Sequence, residues 1–122
     1  MAGRSILWTV TDPRGLNVTF TSDVWLAVLA KHPDFNQFFN AIATTIQEPE
    51  AIYFDPNSTA QRPEGIRMLL YYRSGLLTGN LANKRTAVVV KVVIEQTGEQ
   101  GYVQTAYPSE RILPRLVRQW KK

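Results

Sequence analysis

The stretch "ILWTVTDPRGLNVTFT", residues 6–21, alternates apolar and polar positions, breaks at Asp12-Pro13-Arg14-Gly15, and alternates again. A period of two is that of a strand, and the Pro and Gly between the two runs supply turn geometry, so the pattern predicts a β-hairpin. Ser22 or Thr21 then stands ready to cap a helix whose apolar positions are Val24, Trp25, Val28 and Leu29. Pro33 stops that helix and suits the first turn of a second one beginning near Asp34. There Phe35, Phe38, Phe39, Ile42 and Ile46 recur at helical spacing until Pro49 closes the segment.

After Pro49 the period changes. "EAIYF" reads as a short strand ended by Asp55-Pro56, and "DPNSTAQRPEG" as a polar loop. In "IRMLLYYRS" a strand places Met68, Leu70 and Tyr72 on one face and Arg67, Leu69, Tyr71 and Arg73 on the other. "GLLTGNLANKR" is a long connection. "TAVVVKVVIEQ" predicts the central strand, with Val88, Val90, Val92 and Ile94 facing one way and Val89, Lys91, Val93 and Glu95 the other. Thr97 to Gly101 form a turn from which "YVQTAY" returns antiparallel. "LPRLVRQWK" fits a short helix setting Leu113, Leu116, Val117 and Trp120 against the body. Helices followed by strands predict an α+β fold: an N-terminal hairpin (1–20) and two helices packed on an antiparallel sheet of three to four strands, with a short basic C-terminal helix, all in one domain spanning 1–122.

Composition narrows the chemistry. At 122 residues, 44% hydrophobic and 20% charged, the chain has the make-up of one globular domain. It has no cysteine, which excludes disulfides and thiolate metal sites, and one histidine, which excludes paired-histidine catalysis and multi-histidine metal sites. There is no signal-peptide pattern and no long uncharged apolar run, so a cytoplasmic location and no membrane association are expected. Of the net charge of +4, five positive charges fall in the tail 111–122, "RILPRLVRQWKK", which leaves −1 for residues 1–110. A cationic tail can serve RNA, an acidic partner or solubility.

Four groups of residues can carry chemistry, and each also has a plain structural reading. Lys91 interrupts a run of valines; it either aims a cation at phosphate across an open sheet face or pairs with a neighbouring acid. Arg67, Tyr71 and Arg73 share a strand face where two guanidinium groups and a phenol can hold a phosphodiester, or simply meet solvent. His32 continues the apolar face of the first helix as a core or rim residue, yet imidazole is the side chain suited to proton transfer near neutral pH. Thr105 and Tyr107, two apart, lie on one face of the last strand, and Pro108 directly afterwards places them at the end of the sheet. They can bind phosphate and, for Tyr107, transfer a proton, or they can be ordinary strand formers.

Taken in order, "VTFTSDVWLAVLAKHPDF", "IQEPEAIYFDP", "RMLLYYR" and "VVVKVVIEQTGEQGYVQTAYP" resemble the phage-type branch of the barnase–EndoU–colicin–RelE class of RNase folds. That branch reads as a helix with a His-Pro-acid motif, a P-x-x-I strand entry, and a valine-rich hairpin ending in a Thr-Ala-Tyr motif. The likeness spans roughly residues 18 to 113. It implies an RNase that needs no metal or other cofactor, in toxin, phage or mobile-element settings, with RNA as substrate and a cognate antitoxin or immunity protein as partner. The family's histidine falls on His32 and its strand hydroxyl on Thr105, with Tyr107 in the same motif; Tyr71, Arg73, Lys91 and Arg67 join them from the strand-face reading. Cleavage through the substrate's 2′-hydroxyl, leaving a 2′,3′-cyclic phosphate, is the implied reaction. The alternative is a catalytically inactive RNA- or protein-binding module of the same fold.

Overall fold

A computed structural model describes residues 5–74, 89–109 and 116–122. The alternating N-terminal runs form β1 (Ile6–Thr11) and β2 (Asn17–Thr21), joined by a turn in which Gly15 takes a φ of 91° that its lack of a Cβ permits. α1 (Ser22–Lys31) follows, with Thr21 at its N-cap and its half-buried and buried positions at Val24, Trp25, Val28 and Leu29. A short, tight helical segment, Pro33–Phe38, leads into α2 (Phe39–Gln47), so the second helix is split instead of running unbroken from Asp34. Then come β3 (Ala51–Phe54), a five-residue helix α3 (Pro56–Ala60), β4 (Ile66–Ser74), β5 (Val89–Thr97), β6 (Gln100–Ser109) and β7 (Val117–Lys121). α3 lies within the segment expected to be a polar loop. Its N-terminus is fixed by the Asp55 side chain, which accepts hydrogen bonds from the amides of Asn57 and Ser58.

All seven strands join one sheet in the order β1–β2–β6–β5–β4–β3–β7. Every pairing is antiparallel except β2 with β6, which run parallel through Asn17↔Gln100, Val18↔Gly101 and Thr19↔Tyr102. Close approach at this junction depends on Gly101, where a Cβ would lie 3.1 Å from Ile94 Cγ2 and 3.2 Å from Leu16 Cδ2. α1 and α2 cover one face of the sheet. Their Val28, Ile42 and Ile46 pack with Phe20, Leu69, Val90, Val92, Ile94 and Ala106 into the main core. Phe20 ties hairpin to helices through ring contacts with Trp8 (4.9 Å), Trp25 (6.0 Å) and Phe39 (5.9 Å). The opposite face carries a smaller cluster of Leu70, Tyr72 and Leu116, with Tyr53, Val89 and Val93 against it. Among the described residues no helix is long and apolar enough to cross a membrane.

Three expectations are corrected. The sheet has seven strands in a mixed arrangement, not three to four antiparallel ones, because the N-terminal hairpin adds to the β6 edge and the C-terminal segment adds to the β3 edge. The hairpin is therefore part of the sheet and not a separate element packed on it. The basic C-terminal segment is a strand, with Ile52 opposite Trp120 and Phe54 opposite Val117, and not a helix. The long connection over 75–85, and the positions expected for Val88, Arg111 and Leu113, lie outside the described residues.

Candidate functional site

His32 ends α1 because the residue before a proline is driven out of the helical region. Its φ and ψ are −135° and 72°, while its amide still donates to the Val28 carbonyl at 2.8 Å as the last bond of the helix. The ring is thereby projected off the helix end, where it lies nearly parallel to the ring of Tyr107, centroids 5.7 Å apart and planes 17° apart. Tyr107 reaches that position from β6, directly opposite Lys91 of β5. The Lys91 ammonium stands 5.0 Å from the centroid of Tyr107 and 5.9 Å from that of Tyr72, its neighbour on β4. Tyr72 in turn meets Tyr53 edge-on at 5.7 Å.

Thr105 lies opposite Val93, so it shares a sheet face with Lys91 and Tyr107. His32, Lys91, Thr105 and Tyr107 are all half-buried. Among the described residues no carboxylate lies within ion-pair distance of Lys91. An imidazole, an ammonium group, a phenol and a hydroxyl thus converge near the end of β5 and β6. Such a set can bind an anion and move a proton beside it.

The other three residues singled out from the sequence lie elsewhere. Alternation along β4 does group Arg67, Leu69, Tyr71 and Arg73, but on the face that the helices cover. Tyr71 is fully buried. Its hydroxyl donates to Asp12 Oδ2 at 2.5 Å and accepts from Arg14 at 3.3 Å. Burial first, and then the hydrogen bond to Asp12 and its charge, push the phenol well above the usual tyrosine range. The expectation that Tyr71 is an accessible proton donor or base is therefore corrected: it is a buried structural phenol. Arg67 lies 4.6 Å over the Phe54 ring and donates to Gln119 Oε1 at 3.1 Å. Arg73 donates to the Glu48 carbonyl. Neither arginine belongs to the His32 cluster.

The "DPRG" turn carries chemistry that its sequence pattern does not announce. Asp12 is buried and uses Oδ1 to accept from the amides of Arg14 (2.9 Å) and Leu16 (2.8 Å), while Oδ2 accepts from the Arg14 guanidinium and Tyr71. An Asp at the head of a turn is the available signal for the first two bonds. Beside this network, a polar groove of about 340 Å³ is lined by Arg14, Gly15, Leu16, Asn17, Gln96, Gly98, Glu99 and Gln100. It sits at the opposite end of the β5–β6 hairpin, five residues or about 17 Å along the strand from Lys91. Amides and an arginine already neutralised by Asp12 dominate it, so the groove lacks the proton-transfer set found around His32. No family model matches the chain, and no curated protein or solved structure is significantly similar to it.

Proposed function

We propose that this chain is a metal-independent endoribonuclease acting through the His32, Lys91, Thr105 and Tyr107 cluster. The observation that carries this reading is the convergence of three separate elements on one spot: the end of α1 supplies His32, β5 supplies Lys91 and β6 supplies Tyr107 in contact with both. The sequence motifs that resemble phage-type RNase-fold domains point to His32, Thr105 and Tyr107, and the strand-face reading adds Lys91. In the proposed reaction His32 removes the proton of a substrate 2′-hydroxyl, the oxygen attacks the adjacent phosphorus, and Lys91 stabilises the developing charge. Tyr107 protonates the departing 5′-oxygen, and Thr105 orients a non-bridging oxygen. The products are a 2′,3′-cyclic phosphate and a 5′-hydroxyl.

One observation favours a second reading, a non-catalytic RNA-binding module. The chain has a single histidine, and its contact with Tyr107 is ring on ring, a geometry that also suits stacking on a base. Cleavage of labelled RNA in the presence of a chelator separates the two. His32→Ala is expected to lower the rate by at least about 100-fold and Tyr107→Phe by at least about 10-fold, because general acid–base groups contribute on that scale. Both variants should melt within a few degrees of the parent. Equal rates in parent and variants would remove these residues from any catalytic role.

A further inference from the structure

β6 contains an irregularity that the spacing of its residues does not announce. Val93 is opposite Thr105 but the next residue, Ile94, is opposite Val103, so Gln104 is an extra residue in β6. This is a β-bulge, a device that re-aims side chains and is over-represented beside functional sites. Its consequence is geometric. Tyr102 and Tyr107 are five apart, and in an uninterrupted strand they would point to opposite faces. The extra residue brings Tyr102, Gln104, Thr105 and Tyr107 onto the same face, while Gly101, Val103 and Ala106 stay buried. Tyr102 is 40% exposed and Gln104 is exposed, so the row opens to solvent away from the His32 end.

We propose that this row is a binding track for single-stranded RNA, with Tyr102 as a second stacking platform; the inference rests on the ribonuclease reading for the bond that is cut, but not for binding itself. The two ends have different chemistry. Around Tyr107 stand Lys91 and His32, which together suit a phosphate. Tyr102 lies opposite Glu95, whose carboxylate disfavours a phosphate there and leaves the open ring for a base. Tyr102 and Tyr107 lie opposite Glu95 and Lys91, four residues or about 13 Å apart along β5, enough for about four nucleotides at the stacked spacing and fewer when extended. A duplex offers no free base faces to such a row, whereas an unpaired strand does.

The test uses 5′-fluorescein 2′-deoxy oligouridylates of two, four and six nucleotides, which the proposed reaction cannot cut, with anisotropy as readout. Tyr102→Ala is expected to weaken binding of the longest by roughly 5- to 100-fold and to leave the shortest within about twofold, since one base–aromatic stack is lost. Tyr102→Phe, which keeps the ring, should retain parental affinity. Because Tyr102 is exposed, its truncation leaves the core in place, and an unchanged melting temperature checks this. Equal affinities of parent and Tyr102→Ala for the longest strand would overturn the track, as would equal binding of a duplex of that length. The two proposals fail separately. Length-dependent binding through Tyr102 with no cleavage of any RNA keeps the track and ends the ribonuclease reading. His32-dependent cleavage with no contribution from Tyr102 does the reverse.

Discussion

At Lys91 an ammonium group stands between two phenol rings, with no carboxylate beside it among the described residues. Cation–π contacts of this kind contribute about 0.5–2 kcal/mol, less than a buried charge normally requires in compensation, so the group is left able to take an anion. Lys91→Gln is therefore expected to change stability by no more than about 2 kcal/mol while weakening binding of the oligouridylates at least about 10-fold. A variant that binds as the parent does would place the cation outside the site. Tyr71 shows the opposite situation. Folded, its phenol keeps its proton to a higher pH than the unfolded chain's phenol, whose ordinary value is about 10. Its contribution to stability is thus fully present below pH about 10 and is lost as the pH rises beyond that. Tyr71→Phe should start about 1.5–3 kcal/mol less stable at neutral pH, through loss of the bond to the Asp12 carboxylate, and should decline less steeply on the alkaline side. Parallel alkaline limbs in urea titrations of the two proteins would contradict this. The difference between these residues was only half legible in the sequence. Alternation placed Tyr71 with Arg67 and Arg73, and Thr105 with Tyr107, but it cannot say which face a helix covers.

Elements were read well where the pattern is local and poorly where a distant partner decides. The hairpin, α1 and the two long valine- and tyrosine-rich strands follow from spacing alone. The C-terminal segment did not: "LPRLVRQWK" sets Leu113, Leu116, Val117 and Trp120 at helical intervals, and Val117 and Trp120 share a face of β7 only because Gln119 is an extra residue in its pairing with β3. The unpaired edge of β3 settles the choice, and Trp120 then packs against the main core. The tail is consequently structural as well as basic. Trp120→Ala is expected to cost about 2 kcal/mol, less than truncation of a fully buried tryptophan because the ring is half-buried; no change in the urea midpoint would argue against strand addition. The parallel contact of β2 with β6, and the bulge at Gln104, are likewise products of long-range pairing that leave no periodic mark.

For the whole molecule, the sheet divides labour between its faces. Helices seal one, and the other carries the aromatic and cationic row on β4, β5 and β6. The basic residues Arg118 and Lys121 lie on the far edge strand, four strand spacings or about 19 Å from β6. Arg118 and Lys121, two of the charges that look like a detached tail, are thus fixed to the same sheet as the candidate site. Replacing Arg118 and Lys121 together by glutamine is expected to reduce the salt dependence of binding to a long RNA, lowering the slope of log affinity against log salt by about one to two. An unchanged slope would leave these cations without a part in binding. The measurement closest to the central claim is end-group analysis of a single-stranded RNA incubated with the protein in chelator. The cluster of His32, Lys91, Thr105 and Tyr107 predicts 2′,3′-cyclic phosphate and 5′-hydroxyl ends that disappear in His32→Ala and never form on a 2′-deoxy strand. Intact RNA, or products of the same kind and amount from His32→Ala, would contradict it.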